Sequence, residues 1–282
     1  MQKPIYIHSA TARGPCGDIQ RTETKVLAAD PEPTDIEDTL MTLTGLDLRR
    51  VGHFTELALV GSALTLKRLK TARNPSTAVY FGTGLGEVQK TMALFRQTLE
   101  SPEGAASPYS FINSVSSTTG FYIAKTSGFE SRNFTVCQEE LSFEWALKLA
   151  CDAIIDGDVV SALAGGTDES ASPREEHLTR LPLTDGQIMG EGSGWLYLSP
   201  EPDSAIGEVI EIKELVFTNG CDARQWAEEV SNICKPHMTD TICFLMPGFR
   251  IDKGREQELL KTLQGVSLRR YLAYCGCFHT AA

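Results

Sequence analysis

The stretch Glu140-Leu141-Ser142-Phe143-Glu144-Trp145-Ala146-Leu147, running on to Ile155-Asp156-Gly157-Asp158-Val159-Val160-Ser161-Ala162-Leu163-Ala164-Gly165-Gly166-Thr167-Asp168, decides the fold. Leu141, Trp145, Ala146, Leu149, Ala150 and Ile154 recur at helical spacing and share one face. Gly157-Asp158 ends that helix. Residues 159–164 then read as a buried strand closing on Gly165-Gly166. Upstream, Phe134-Thr135-Val136-Cys137 reads as a short strand leading into the helix. Strand, helix and strand in succession imply parallel pairing with helices on the sheet faces, so the chain is α/β.

Working outward, Ala78-Val79-Tyr80-Phe81 reads as a strand entering the turn Gly82-Thr83-Gly84-Leu85-Gly86, with a helix over 87–99 after it. A glycine-rich strand-to-helix turn raises nucleotide binding. The third glycine of the dinucleotide fingerprint is absent, however, and no acidic residue closes a second strand about 20 residues on. These glycines are expected to serve positive φ or close packing instead. Residues 54–69 carry Leu57, Ala58, Val60, Gly61, Leu64 and Leu66 at helical spacing. Lys67, Arg68, Lys70 and Arg73 near its end complement the helix dipole or offer an acidic carrier a docking point.

Ile5-Tyr6-Ile7-His8-Ser9-Ala10 reads as a strand running into a loop, and residues 18–50 as polar and irregular, with Asp30-Pro31-Glu32-Pro33-Thr34-Asp35 a stiff connector. Gly192-Ser193-Gly194-Trp195-Leu196-Tyr197-Leu198 and Val209-Ile210-Glu211-Ile212 read as strands. A helix over 222–233, a strand at Ile242-Cys243-Phe244-Leu245, a helix over 254–264 and a strand near Tyr271 follow. The second part repeats the first in compressed form, dividing the chain into 1–206 and 207–282 within one structural unit.

Composition narrows the function. The 282 residues are 41% hydrophobic and 22% charged, enough core material for a globular protein. With 26 basic against 37 acidic residues the net charge is −11, the wrong sign for gripping a phosphate backbone, so no nucleic-acid partner is expected. The opening residues lack the apolar run of a signal peptide and no later run reaches the length of a membrane span, which reads as a soluble cytoplasmic protein. Eight cysteines are too sparse for a disulfide scaffold, so free thiols are expected.

The 140–168 stretch resembles the nucleophile region of β-ketoacyl synthases. Gly190-Glu191-Gly192-Ser193-Gly194 resembles the family's EGAG strand, and Gly82-Thr83-Gly84 one of its turns. The resemblance covers the N-terminal half well and the C-terminal half loosely. It implies a thiolase-like layered fold (αβαβα) of two related βαβ halves, the second shortened, and no cofactor. In the family a cysteine starts the helix, where the dipole lowers its pKa and the thiolate accepts an acyl chain. Counting back from Gly157-Asp158 without gaps places that position at Glu140, three residues after Cys137. Cys137 is expected to be a small buried hydrophobe. Pro247 stands where the resemblance implies the first catalytic histidine, Tyr274 where it implies the lysine, and His279 at the second histidine. The chain stops at Ala282 before any GFGGTN-like string.

This pattern resembles the chain-length factors of type II polyketide systems, in particular the shortened ones of aryl polyene clusters. Such subunits usually carry glutamine at the lost cysteine; Glu140 departs from that. The resemblance implies a heterodimer with an active ketosynthase, which brings the acyl carrier protein, and an acyl tunnel closed by side chains of the inert subunit. Tyr109, Phe111, Phe121 and Tyr122, with Met92, Leu94 and Phe95 on the preceding helix, match that region, and Phe134 and Val136 lie on the strand expected at the interface. Ordinary core packing is the competing expectation for these aromatics. The alternative function is a divergent ketosynthase or thiolase-like acyltransferase using Cys137 with His279. A metal site from Cys234-Lys235-Pro236-His237 and Cys275-Gly276-Cys277 is not expected, because the second spacing is tight for structural zinc and the pairs are far apart.

Overall fold

A computed structural model of the chain describes residues 4–15, 17–18, 36–45, 51–101, 106–170, 189–210, 212, 221–238, 243–245, 251–263 and 265–268. In chain order the elements are β1 (Ile5–Gly14), β2 (Gly17–Asp18), α1 (Glu37–Thr44), α2 (His53–Arg68), β3 (Ala78–Gly82), α3 (Val88–Glu100), α4 (Pro108–Ser114), α5 (Ser116–Ser127) and β4 (Asn133–Val136). They continue with α6 (Ser142–Ile155), β5 (Ala162–Asp168), β6 (Gly192–Ser199), β7 (Gly207–Val209), α7 (Ala223–Cys234), β8 (Cys243–Leu245), α8 (Lys253–Thr262) and β9 (Val266–Leu268).

The main sheet runs β2-β1-β6-β5-β3-β4, with β7 also paired to β1. β3 pairs in parallel with both β4 and β5, as the two crossovers through α6 and the preceding helices require. β6 joins β5 to β1 antiparallel on both sides. One face is covered by α2 and α5, whose Phe54, Leu57, Leu59 and Ile123 close with Val79, Phe81, Leu163 and Trp195 into one core. The Phe81 and Trp195 rings stack there at 5.6 Å. The other face is covered by α6, whose Ala146, Ala150 and Ile154 meet Ala78, Tyr80, Ala162 and Ala164. Small residues on both sides let this helix lie close to the sheet. Ala227, Leu259 and Leu263 build a separate cluster for α7 and α8.

Three expectations are corrected. Residues 18–50 are not irregular throughout, since α1 forms where Ile36 and Leu40 reach the core. Strand β5 starts at Ala162 rather than residue 159, because the chain leaving α6 first turns at 156–160 and leaves Val160 in water. Of the described residues in the expected strand at 209–212, Val209 lies in β7 while Ile210 and Ile212 do not. A strand at 266–268, parallel to β8, precedes the one expected near Tyr271, which lies outside the described residues.

Candidate functional site

The ends of β3, β4 and β5 meet the N-terminus of α6, and the side chains gather there. Gly82 closes β3; a Cβ on it would stand 2.5 Å from the Ser142 carbonyl oxygen, so only glycine lets α6 approach. The turn beyond it is filled from within the protein. Asp168 at the end of β5 accepts the Thr83 hydroxyl at 2.7 Å and the Gly84 and Leu85 N–H groups at 3.1 Å. Those are the donors a bound phosphate would need, so the turn is an internal carboxylate cradle and the nucleotide reading falls.

Between β4 and α6 the chain makes a sharp bend. Glu139 sits at φ 49°, in the left-handed region that a glutamate enters only where neighbours hold it. The Ser142 hydroxyl holds it: it accepts the Gln138 N–H at 2.8 Å and lies 2.9 Å from the Thr83 carbonyl and 2.6 Å from the Glu139 carbonyl, which share its one proton. The bend sets half-buried Glu140 two residues ahead of α6. The N-cap itself is Leu141, which has no side-chain cap.

Cys137 is corrected from buried to exposed. It follows the end of β4, the edge strand of the sheet among the described residues. Its thiol is nevertheless pushed above the ordinary range, first by desolvation and also by the Asp168 charge, with a Ser116 hydrogen bond acting the other way. That is the reverse of an activated thiolate.

The aromatic positions also separate. Tyr109, Phe111 and Phe121 are exposed rather than core, together with Met92, Phe95, Leu99, Ile112 and Phe134. Tyr122 packs partly against the main core, edge-on to Phe121 at 5.6 Å. Val136 is half-buried against the α6 side, and Phe134 stacks on Tyr80 at 5.5 Å. Helix α3 buries none of its side chains, so α3, α4, the exposed side of α5 and the β4 edge present a broad apolar surface. Pro247, Tyr274, His279, Cys275 and Cys277 lie outside the described residues. Among the described residues no group of three metal-ligating side chains comes together.

Sequence reasoning missed one cluster: His53, whose Nε2 lies 3.0 Å from both oxygens of buried Glu191, with Glu87 and Glu169 close by. The Gly190-Glu191-Gly192 motif signalled the strand but gave no hint of a histidine 138 residues upstream.

This layered sheet, with its strand ends meeting the N-terminus of α6, belongs to the ketosynthase class, and the β-ketoacyl synthase N-terminal domain model matches residues 17–204. The chain is a member of the β-ketoacyl synthase family. Solved structures show the same thiolase-like fold. The ishigamide ketosynthase/chain length factor is similar at TM-score 0.74 and 15% identity, over 92% of this chain and 82% of that one. A type II polyketide acyl-carrier protein in complex with its ketosynthase bound to the hexaketide is similar at 0.73 and 17%, over 99% and 88%. A β-ketoacyl synthase from Burkholderia phymatum STM815 is similar at 0.71 and 17%, over 100% and 83%. Comparison with curated protein sequences gave no match. Among the described residues, no helix is long and apolar enough to cross a membrane.

Proposed function

We propose that the chain is a non-catalytic, chain-length-factor-like subunit that pairs with an active ketosynthase and helps to shape its acyl tunnel during polyketide or fatty-acid-like chain elongation. The observation that carries the reading is Glu140, a carboxylate where the family's gapless spacing calls for the thiol that accepts the acyl group. A glutamate there cannot form the thioester through which condensation proceeds. The apolar surface of α3, α4, α5 and the β4 edge supports the pairing, because a strand edge that no described strand covers, flanked by exposed aromatics, is suited to a partner chain. A mixed pair also accounts for the plug role assigned to Tyr109, Phe111 and Phe121, which reach outward rather than into this chain's own core. The acyl carrier protein would be met through the partner, and the aryl polyene class of product is carried by the sequence resemblance.

Co-expression with the partner ketosynthase tests this. The pair should purify as one heterodimer, and Tyr109→Ala or Phe111→Ala should lengthen its products as read by mass spectrometry. Unpaired chains, or early melting with unchanged product lengths, would count against the pairing or the plug.

A second reading, a divergent acyltransferase using Cys137, is favoured by one fact: the thiol is exposed beside Ser116 and Asp168. Its raised pKa weighs on the other side, since a protonated thiol is a poor nucleophile.

A further inference from the structure

Asp168 serves the 83–85 turn, but its neighbour Glu169 faces a different group of elements. Its Oε1 accepts the Gln89 N–H of the first turn of α3 at 3.2 Å, and the carboxyl also bonds the Phe54 N–H in the first turn of α2. Two helix N-termini therefore converge on one buried carboxyl. Glu87, the N-cap of α3, is 2% exposed, and both its oxygens are buried without a hydrogen-bond partner. A Cβ on Gly52, the N-cap of α2, would stand 1.9 Å from Glu87 Oε1, so this carboxyl lies directly against the start of α2.

The charged groups around the two acids are His53 and Glu56 on α2, Lys90 on α3, and Glu191 ahead of β6. Among the described residues four carboxyls thus face one imidazole and one ammonium, and protons on the buried acids would offset that excess of negative charge. Burial, then the Glu169 charge, pushes Glu87 up to about 8; burial pushes Glu169 up to about 7.

We propose that Glu87 and Glu169 form a proton-held latch between the N-termini of α2 and α3, closed while the pair keeps its protons and opened by alkaline pH. An ionised Glu87 would be buried without a hydrogen bond and with a carboxylate beside it, costs that the nearby Lys90 ammonium offsets only in part, and turning out to water relieves both while abandoning the contact with Gly52. Helix α3 is the element free to follow, because it buries no side chain of its own. Met92 and Phe95 on α3 belong to the exposed apolar surface, so the latch would tie that surface to pH. This inference stands independently of whether the chain is catalytic.

Hydrogen exchange on the full chain at about pH 6 and about pH 9, corrected for intrinsic rates, tests it. In the wild type, protection of amides 84–92 should fall about tenfold or more relative to β5, and in Glu87→Gln it should fall clearly less, since tenfold corresponds to one unit of linkage. Should Glu87→Gln fail to fold, Glu169→Gln removes the nearest like charge together with one of the two titrating carboxyls and should make the loss smaller. Equal loss in wild type and Glu87→Gln, no loss in the wild type, or an undiminished loss in Glu169→Gln overturns the latch.

Discussion

Phe111→Ala separates an interface side chain from a core one by magnitude. Phe111 is 60% exposed, so folding of the single chain hides about two-fifths of it. Full burial of a phenylalanine gains about 1.5–3 kcal/mol, so truncation here should cost the isolated chain only about 1 kcal/mol. Phe54, at 0% exposure and packed on Phe81 at 5.8 Å, is the internal control: its truncation should cost about 3–5 kcal/mol. If a partner covers the remaining surface of Phe111, the same truncation should weaken pairing by about 1–2 kcal/mol, roughly tenfold in Kd. Urea melts of the single chain and titration of the partner ketosynthase measure the two quantities. A loss above about 3 kcal/mol in the isolated chain, with pairing unaffected, would refute the assignment of Phe111 to an interface.

Other outcomes follow from the same geometry. Glu87, Glu169 and His53 all have folded pKa values above their ordinary ones, so each favours folding at low pH, and that support is lost as pH rises through about 7 for Glu169 and about 8 for Glu87. Thermal melts should therefore show Glu87→Gln gaining stability over the wild type above pH 8 and little difference near pH 5, where the wild-type carboxyl is already neutral; the opposite order would refute the assignment. Asp168→Asn keeps the shape but loses the charge that accepts two N–H groups and the Thr83 hydroxyl, and should cost about 2–3 kcal/mol in denaturant melts. Glu140→Cys should confer no turnover of a malonyl-carrier substrate on the single chain, because one restored thiol does not rebuild a proton-transfer and oxyanion apparatus.

Much of the architecture could be read locally. The strand-helix-strand order and the Ala146, Ala150 and Ile154 stripe of α6 follow short-range spacing, although Leu141 and Leu149 of the expected face are exposed, and Gly82 marks a close approach that the structure makes at the Ser142 backbone. Other parts were hidden by tertiary context. Val159 and Val160 look more β-prone than Gly165-Gly166-Thr167-Asp168, yet the latter residues form β5 because β3 and β6 pair with them on both sides. Cys137 looks like a core residue until its strand is seen to be the sheet edge. The His53–Glu191 contact and the convergence of α2 and α3 on Glu169 depend on long-range packing that no spacing in the chain encodes.

The central claim, a ketosynthase-family subunit that carries no acyl group itself, is tested most directly by intact-mass analysis of the reconstituted pair after incubation with an acyl-carrier donor. The account predicts that the partner ketosynthase gains the mass of the acyl chain and this chain keeps its own mass. An acyl adduct on this chain that disappears in Cys137→Ala would contradict it.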